Sequence, residues 1–152
     1  MSWKRILKAE DIEWLSTKII NGEREMWSER HQIACPSETW ILGENKKNRN
    51  EAIQNDKIKY GPINLSDNDY WIELADFWNT TPEVAKKSKC SNCVAFDISP
   101  RMKDCMPLEG DLGYCWMHKF KCHKDRTCYT WVQGGPIREN SVSIKNQKRG
   151  SR

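Results

Sequence analysis

The segment from Lys89 to Trp131 reads KCSNCVAFDISPRMKDCMPLEGDLGYCWMHKFKCHKDRTCYTW and holds six of the seven cysteines in a chain of 152 residues. It opens with Cys90 and Cys93 in a Cys-x2-Cys turn, a spacing that directs two sulfurs at one metal centre. Four more cysteines follow singly. Cysteines of an ordinary core occupy periodic positions, and these do not. The spacing therefore predicts that the sulfurs converge on a metal ion or an iron–sulfur cluster.

The composition explains why the chain needs such a centre. Hydrophobic residues make up 38% of the sequence, and the mean hydropathy is -0.85. Aliphatic packing is therefore thin, although eight tryptophans add large rings to the core. A small domain that is short of aliphatic residues commonly relies on a metal or on disulfides.

Of a metal and disulfides, disulfides are the less favoured means of stabilising this chain. The opening residues, MSWKRILKAEDIEWL, carry acids where a secretory signal has an apolar run. No stretch approaches the roughly 18 apolar residues of a membrane span. We therefore expect a cytoplasmic protein with no membrane partner, and disulfides are rare in a reducing cytosol. A thiol–disulfide protein in which Cys122 pairs with Cys128 is a third alternative, and Cys35 is predicted to be an unpaired, small apolar residue.

Zinc and iron–sulfur clusters make different demands on the spacing. A zinc finger or ribbon pairs one Cys-x2-Cys with a second tight pair, whereas the later cysteines here stand alone, as a larger cubane cluster permits. Aromatic residues flank the cysteines and would keep a cluster dry: Phe96, Tyr114, Trp116, Phe120, Tyr129 and Trp131. The candidate ligands for zinc are Cys90, Cys93, Cys105, Cys115, Cys122, Cys128, His118 and His123.

The same segment resembles the high-potential iron–sulfur proteins, over residues 90–131 only. That family has a Cys-x2-Cys pair, a third cysteine, and a Gly-aromatic-Cys that an aromatic residue follows. The matching pieces here are CSNC, KDC and GDLGYC. The resemblance implies one [4Fe–4S] cluster with Cys90, Cys93, Cys105 and Cys115 as its ligands.

The chain departs from the family pattern in two places. The interval between Cys105 and Cys115 is shorter than usual, and His118 stands where an aromatic residue is expected. The stretch TCYTW around Cys128 supplies that aromatic ending instead. Cys128 is therefore an alternative fourth ligand in place of Cys105 or Cys115, and Cys122 is a further alternative.

The resemblance implies a one-electron carrier or a cluster-stabilised accessory protein that meets a redox or assembly partner. A pocket lined by rings penalises added charge, so the cluster would work between −2 and −1 at a high potential. The alternative is a structural zinc module in an interaction protein, such as a virus-encoded factor or a small subunit. No phosphate-binding loop, H-E-x-x-H motif or nucleophile elbow is present, so we do not expect an enzyme.

The expected fold is small, helical and irregular, with little or no sheet. Residues 1–88 are predicted to form a helical, Trp-rich front, which contains a polar loop near 43–66. Within this front we predict an amphipathic helix over residues 9–30 and a second helix from Ser66 to about Asn79. A short third helix should follow, with Thr81 as its N-cap and Pro82 at its first position.

Residues 89–137 are predicted to form a loop-rich cysteine module with short helices, because Pro and Gly interrupt it every few residues. Residues 138–152 carry the whole net charge of +4 and are expected to be a disordered basic tail. Since no basic stripe runs through the body, a nucleic-acid partner is not expected.

Overall fold

The structure is a computed structural model, and it describes residues 27–28, 30–31, 33–63, 66 and 68–150. This part of the chain contains five α-helices and a three-stranded antiparallel sheet, with 42% helical and 13% strand residues. The fold is therefore mixed α/β. The prediction of little or no sheet was wrong.

Among the described residues, three helices precede the first strand, a fourth lies between the first and second strands, and a fifth follows the sheet. The helices are α1 (Leu42–Gln54), α2 (Asn68–Phe77), α3 (Pro82–Ala85), α4 (Pro100–Cys105) and α5 (Asn140–Gly150). The strands are β1 (Phe96–Asp97), β2 (Leu112–Cys115) and β3 (Phe120–His123). Two 3-10 turns lie at Ser37–Thr39 and Cys90–Asn92.

The sheet has the order β1-β2-β3. Strands β2 and β3 form a hairpin in which Cys115 pairs with Phe120 and Gly113 pairs with Cys122. Along β3 the side chains alternate between buried and half-buried positions, beginning with buried Phe120, which is the period of two that a strand imposes. The strands have only two to four residues each, and so short an alternation predicts a strand only weakly.

Helix α1 occupies the first half of the segment that the sequence predicted to be a polar loop. Only Asn45 and Ala52 are buried on it, so it lacks the apolar stripe from which a helix is normally predicted. Side-chain hydrogen bonds hold it instead: Asn45 Oδ1 accepts from Lys121 N at 2.7 Å, and Asn48 Nδ2 donates to the Lys119 carbonyl at 2.6 Å. The helix is thus stabilised by the β2–β3 hairpin that it covers.

Helices α2 and α3 lie where the sequence predicts them. Thr81 caps α3, since its hydroxyl accepts from Val84 N at 3.3 Å, and Pro82 stands at the first helical position. The two helices bury an apolar cluster that Tyr129 of the cysteine module joins: Trp71, Leu74, Ala75, Ala85 and Tyr129. The front of the chain and the cysteine module therefore share a core.

A disulfide joins Cys35 to Cys105 across 70 residues of sequence. Cys35 is therefore paired rather than solitary, contrary to the sequence-based prediction. The bond lies in a second apolar cluster with Met102, Met106 and Tyr114, against which Trp40 and Trp116 pack. It fastens the segment before α1 to the last residue of α4.

The basic C-terminal segment differs from the disordered tail that was expected, because residues 140–150 are the helix α5. Arg101 of α4 is fully buried and donates to Ser143 Oγ at 2.7 Å and to Gln147 Oε1. Ser143 Oγ in turn donates to the buried carboxylate of Asp97. This carboxylate also accepts from Trp116 Nε1 at 2.9 Å. A buried polar network thus anchors α5.

The structure describes only part of the segment in which the first helix is predicted. The helix predicted over residues 9–30 lies mostly outside the described residues, and Trp27 forms an antiparallel bridge with Ala34. Within the described ranges, no helix is both long enough and apolar enough to cross a membrane.

We predict that replacing both disulfide cysteines, as Cys35→Ser/Cys105→Ser, lowers the free energy of unfolding by about 2–4 kcal/mol, because a loop of this length restricts the unfolded chain. Denaturant titration with and without reductant measures the effect. The unmodified protein should be destabilised by reductant and the double variant should not. Identical midpoints for the unmodified protein in both buffers would contradict the pairing.

We also predict that Asp97→Asn lowers the free energy of unfolding by about 1–3 kcal/mol, because it removes the carboxylate charge that stabilises the buried Arg101 guanidinium through the shared Ser143 hydroxyl. Arg101→Met should be destabilising for the converse reason. A double-mutant cycle measured by denaturation checks the coupling: the double variant should lose less than the two single losses combined. Strict additivity would mean that Asp97 and Arg101 do not act together.

Candidate metal centre

Five cysteines line one small cavity in the cysteine module. Three other side chains complete its wall, and the full set is Cys90, Cys93, Phe96, Cys115, Met117, Cys122, Cys128 and Trp131. All five cysteines are buried and none forms a disulfide. The structure thus brings together five of the six cysteines of the 90–131 segment.

Different pieces of the fold deliver the cysteines to the cavity. Cys90 begins the 3-10 turn and Cys93 follows its last residue, while Cys115 and Cys122 come from the β2–β3 hairpin. The turn is tied to the loop before Cys128 by two backbone bonds, Cys90 N to Arg126 O at 2.7 Å and Ser91 N to Lys124 O at 3.0 Å. The backbone pairing of these loops therefore sets the cavity's position.

Three of the sulfurs accept hydrogen bonds from backbone N–H groups. Those on Cys93 come from Ala95 and Val132, and those on Cys115 come from Met117 and His118. Cys128 accepts from the Thr130 backbone, and its Sγ lies 3.1 Å from the Thr130 hydroxyl. Donors directed at sulfur stabilise a thiolate, as the outer shell of a metal–thiolate site does.

The pKa values of four of the cavity thiols are also shifted. Burial, followed by the neighbouring Cys90 and Cys115, raises the pKa of Cys128 to about 12 even though Thr130 opposes the shift. Burial likewise raises the pKa of Cys93 and that of Cys122. The pKa of Cys115 is lowered, because the Cys122 thiol donates a hydrogen bond to it. A cation that binds such thiols displaces their protons into solvent and supplies the positive charge that stabilises the buried thiolates.

The cavity is small, buried and rich in sulfur. Its free space is about 10 Å³, at the lower limit of what one water molecule needs. Its wall contains no carboxylate and no histidine. Soft thiolates without oxygen donors select zinc, copper(I) or iron–sulfur clusters and disfavour magnesium or calcium.

As the side chains stand, no group of three or more His, Cys, Asp or Glu residues among the described positions is arranged to hold a metal ion. The sulfurs line a common cavity, and some of them hydrogen-bond to one another, Cys122 to both Cys115 and Cys90. Holding a metal would require these side chains to rotate inward and the wall to widen. The donor chemistry fits a thiolate-bound metal or cluster on these terms.

Cys105, one of the four ligands implied by the family resemblance, lies elsewhere. Its sulfur is bonded to Cys35, so it offers no thiolate in this state. Cys128, the alternative ligand, lies in the cavity wall together with Cys122.

The two candidate histidines stand outside the cavity wall. His118 Nε2 lies 2.7 Å from the Thr130 hydroxyl, and burial lowers the pKa of this imidazole. The Thr130 hydroxyl therefore links this imidazole to the Cys128 sulfur. His123 Nδ1 accepts from the backbone N–H of Asp125 at 3.1 Å.

The aromatic residues near the cysteines divide among three clusters. Phe96 and Trp131 line the cavity, and Phe120 belongs to the same core. Tyr114 and Trp116 pack beside the disulfide instead, while Tyr129 lies with α2 and α3. Sequence reasoning missed Met117 and Thr130, which carry no spacing signal, although both lie two residues after a cysteine of the site.

Because Gly113 has no side chain, it leaves room for the Phe96 ring beside the cavity. A Cβ atom at Gly113 would lie 2.5 Å from the Phe96 ring, closer than packed atoms tolerate. Glycine here is thus a requirement of the cavity wall.

Comparison with known proteins gives no relative: no family model, no curated protein and no solved structure matches the chain.

We predict that Gly113→Ala lowers the free energy of unfolding by about 1–3 kcal/mol, because overpacking displaces the buried Phe96 ring. Gly110→Ala is the matched control, since a Cβ at that position meets no atom within 4 Å. Thermal or denaturant unfolding of the two variants measures the difference. Equal stabilities would show that the Phe96 ring can shift without cost.

Proposed function

We propose that this chain binds one [4Fe–4S] cluster through Cys90, Cys93, Cys115 and Cys128, and that it acts as a one-electron carrier. The observation that carries the proposal is the small, buried cavity into which these four cysteines are gathered from separate loops. When bound, the cluster would supply the redox chemistry. The protein would supply four thiolates, their N–H donors and an apolar wall.

The hydrogen bonds to the sulfurs support the choice of these four cysteines out of five. Beside burial, Cys90 and Cys115 add to the raised pKa of Cys93, Cys128 and Cys122 alike, so all five thiols are neighbours. Cys122 differs, because it hydrogen-bonds directly to Cys90 and Cys115 and has no backbone donor among the causes of its shift.

The sequence resemblance supports Cys90, Cys93 and Cys115 directly, and it offers Cys128 as the alternative fourth ligand. With Cys105 held in the disulfide, the cysteine of TCYTW is the remaining source of the aromatic ending typical of the family. Trp131, the last residue of that stretch, lines the cavity, and its Nε1 donates to the Lys89 carbonyl at 2.9 Å. The ring is thereby held next to the Cys-x2-Cys turn.

The surroundings favour a high reduction potential. Apolar walls resist the accumulation of negative charge, so they disfavour reduction beyond −2 and leave the couple between −2 and −1, which has the higher potential, as the working couple. Within that couple the N–H donors to Cys93, Cys115 and Cys128 act in the opposite sense to the walls, since they favour the more reduced state and raise the potential.

A structural zinc site is the second candidate, and the tightness of the cavity favours it. A zinc–sulfur bond of about 2.3 Å sets the sulfurs of a tetrahedral site about 3.8 Å apart, which is the range of the thiol hydrogen bonds of Cys122 with Cys90 and Cys115. In that case the metal would only fold the loops together.

Iron, zinc and acid-labile sulfide, measured on anaerobically isolated protein, decide between the two. We expect about four irons and four sulfides per chain, with a brown colour from thiolate-to-iron charge transfer. One zinc without sulfide in a colourless protein would replace this proposal with the structural alternative. Protein that folds normally with neither metal would contradict both.

Single Cys→Ser variants test the ligand set. Cys90→Ser, Cys93→Ser, Cys115→Ser and Cys128→Ser should each lose most of the cluster. Cys122→Ser is the control inside the cavity and should retain it, and Cys105→Ser is the control outside. If Cys122→Ser loses its iron and Cys128→Ser retains it, the fourth ligand is Cys122 and not Cys128.

A further inference from the structure

A groove of about 710 Å³ runs between α5 and the cysteine module. Val94, Met117, Ile137 and Val142 contribute apolar side chains to it. Three of these are strongly exposed for their type, with relative accessibilities of 42% for Val94 and 40% each for Met117 and Val142. The groove thus has an apolar lining that is open to solvent.

The groove adjoins the cysteine cavity directly. Met117 belongs to the walls of both. Ala95 lines the groove, and its backbone N–H is one of the donors to the Cys93 sulfur. One layer of protein therefore separates the groove from the sulfurs, so a partner seated in it would lie close to the proposed cluster.

The rim of the groove is basic. Arg138, Lys145 and Arg149 line it together with a single acid, Glu139, and Lys148 extends the positive charge along α5. None of these four basic side chains has a carboxylate partner among the salt bridges found in the described part of the chain. Their charge is therefore directed to solvent.

One face of α5 carries this charge, and the opposite face is held to the protein interior by hydrogen bonds. Val142, Lys145 and Arg149 recur at the spacing of a single helix face and line the groove. Ser143 and Gln147, between them in sequence, bind the buried Arg101. The buried network thus holds the basic face in a constant orientation toward the groove.

We propose that this groove docks a redox partner protein whose acidic side chains surround an exposed apolar patch. The proposal rests on the electron-carrier function proposed above and adds the surface and the charge of the partner. An apolar floor with a charged rim matches the layout of protein interfaces. Charge complementarity at the rim speeds the encounter, and redox complexes are small and short-lived.

The test uses an acidic c-type cytochrome as the probe and measures its second-order rate of electron transfer with the cluster-loaded full chain. Lys145→Glu/Arg149→Glu reverses two charges on the rim. Lys46→Glu/Lys47→Glu is the matched control, since both lysines are exposed on α1 and lie outside the groove wall. At low ionic strength the first pair should slow the reaction by at least about tenfold, and the control pair by much less.

Salt and partner charge provide the internal checks. The difference between the two double variants should shrink in about 1 M salt, where the Debye length falls to about 3 Å. A basic cytochrome should not be slowed by the rim reversal. Equal slowing by both pairs, or no slowing by the rim pair, would overturn the docking proposal.

Two further outcomes distinguish the ways in which the proposal fails. If every variant holds four irons and is oxidised and reduced by small reagents, but the rim reversal leaves the cytochrome rate unchanged, the electron-carrier function stands and the docking surface falls. If the unmodified chain holds no cluster, both fall. If a single-stranded oligonucleotide binds the rim and the cytochrome does not compete with it, the groove belongs to nucleic acid and the proposal is overturned.

Discussion

The exclusion of water from five cysteine side chains is the constraint around which the second half of this protein is built. The cavity draws on the Cys-x2-Cys turn, the β2–β3 hairpin and the loop that ends at Cys128. None of these pieces is long enough to be stable alone, since the strands have two to four residues. Their common core places four of the five cavity cysteines beside Ala95, Phe96 and Phe120. Backbone pairing between the loops then leaves little freedom in where each sulfur lies.

The remainder of the described chain supports this module from outside. Helix α1 covers the hairpin through Asn45 and Asn48, and α2 and α3 bury Tyr129. The disulfide and the Asp97–Arg101 network tie the segment before α1 and helix α5 to the same region. A chain with few aliphatic residues thus gains its stability from polar and covalent links. This agrees with a composition in which the hydrophobic fraction is only 38%.

The sequence predicted features whose cause is local. Thr81 and Pro82 predicted the start of α3, because the cap and the proline act within one turn. The Cys-x2-Cys spacing indicated that sulfurs would converge, and the structure places five of them around one cavity. Features that depend on distant partners were not predictable: α1 depends on bonds to the hairpin, and Cys105 pairs with a residue 70 positions away. The hairpin was missed because its connection, WMHK, contains none of the Gly, Asn or Asp residues that typically indicate a tight turn.

The separation of Cys35 and Cys105 from the other five cysteines has a consequence for how the protein matures. One pair of sulfurs must be oxidised while the rest stay reduced, within a chain that carries all seven from the moment of synthesis. An oxidant acting on the unfolded polypeptide has no means of distinguishing them, because thiol–disulfide exchange depends on thiolate character and access. The folded chain makes the distinction by position, since it sets the Cα atoms of Cys35 and Cys105 5.8 Å apart and gathers the other five cysteines around the cavity. Closure of the cavity must therefore precede, or accompany, formation of the correct bond.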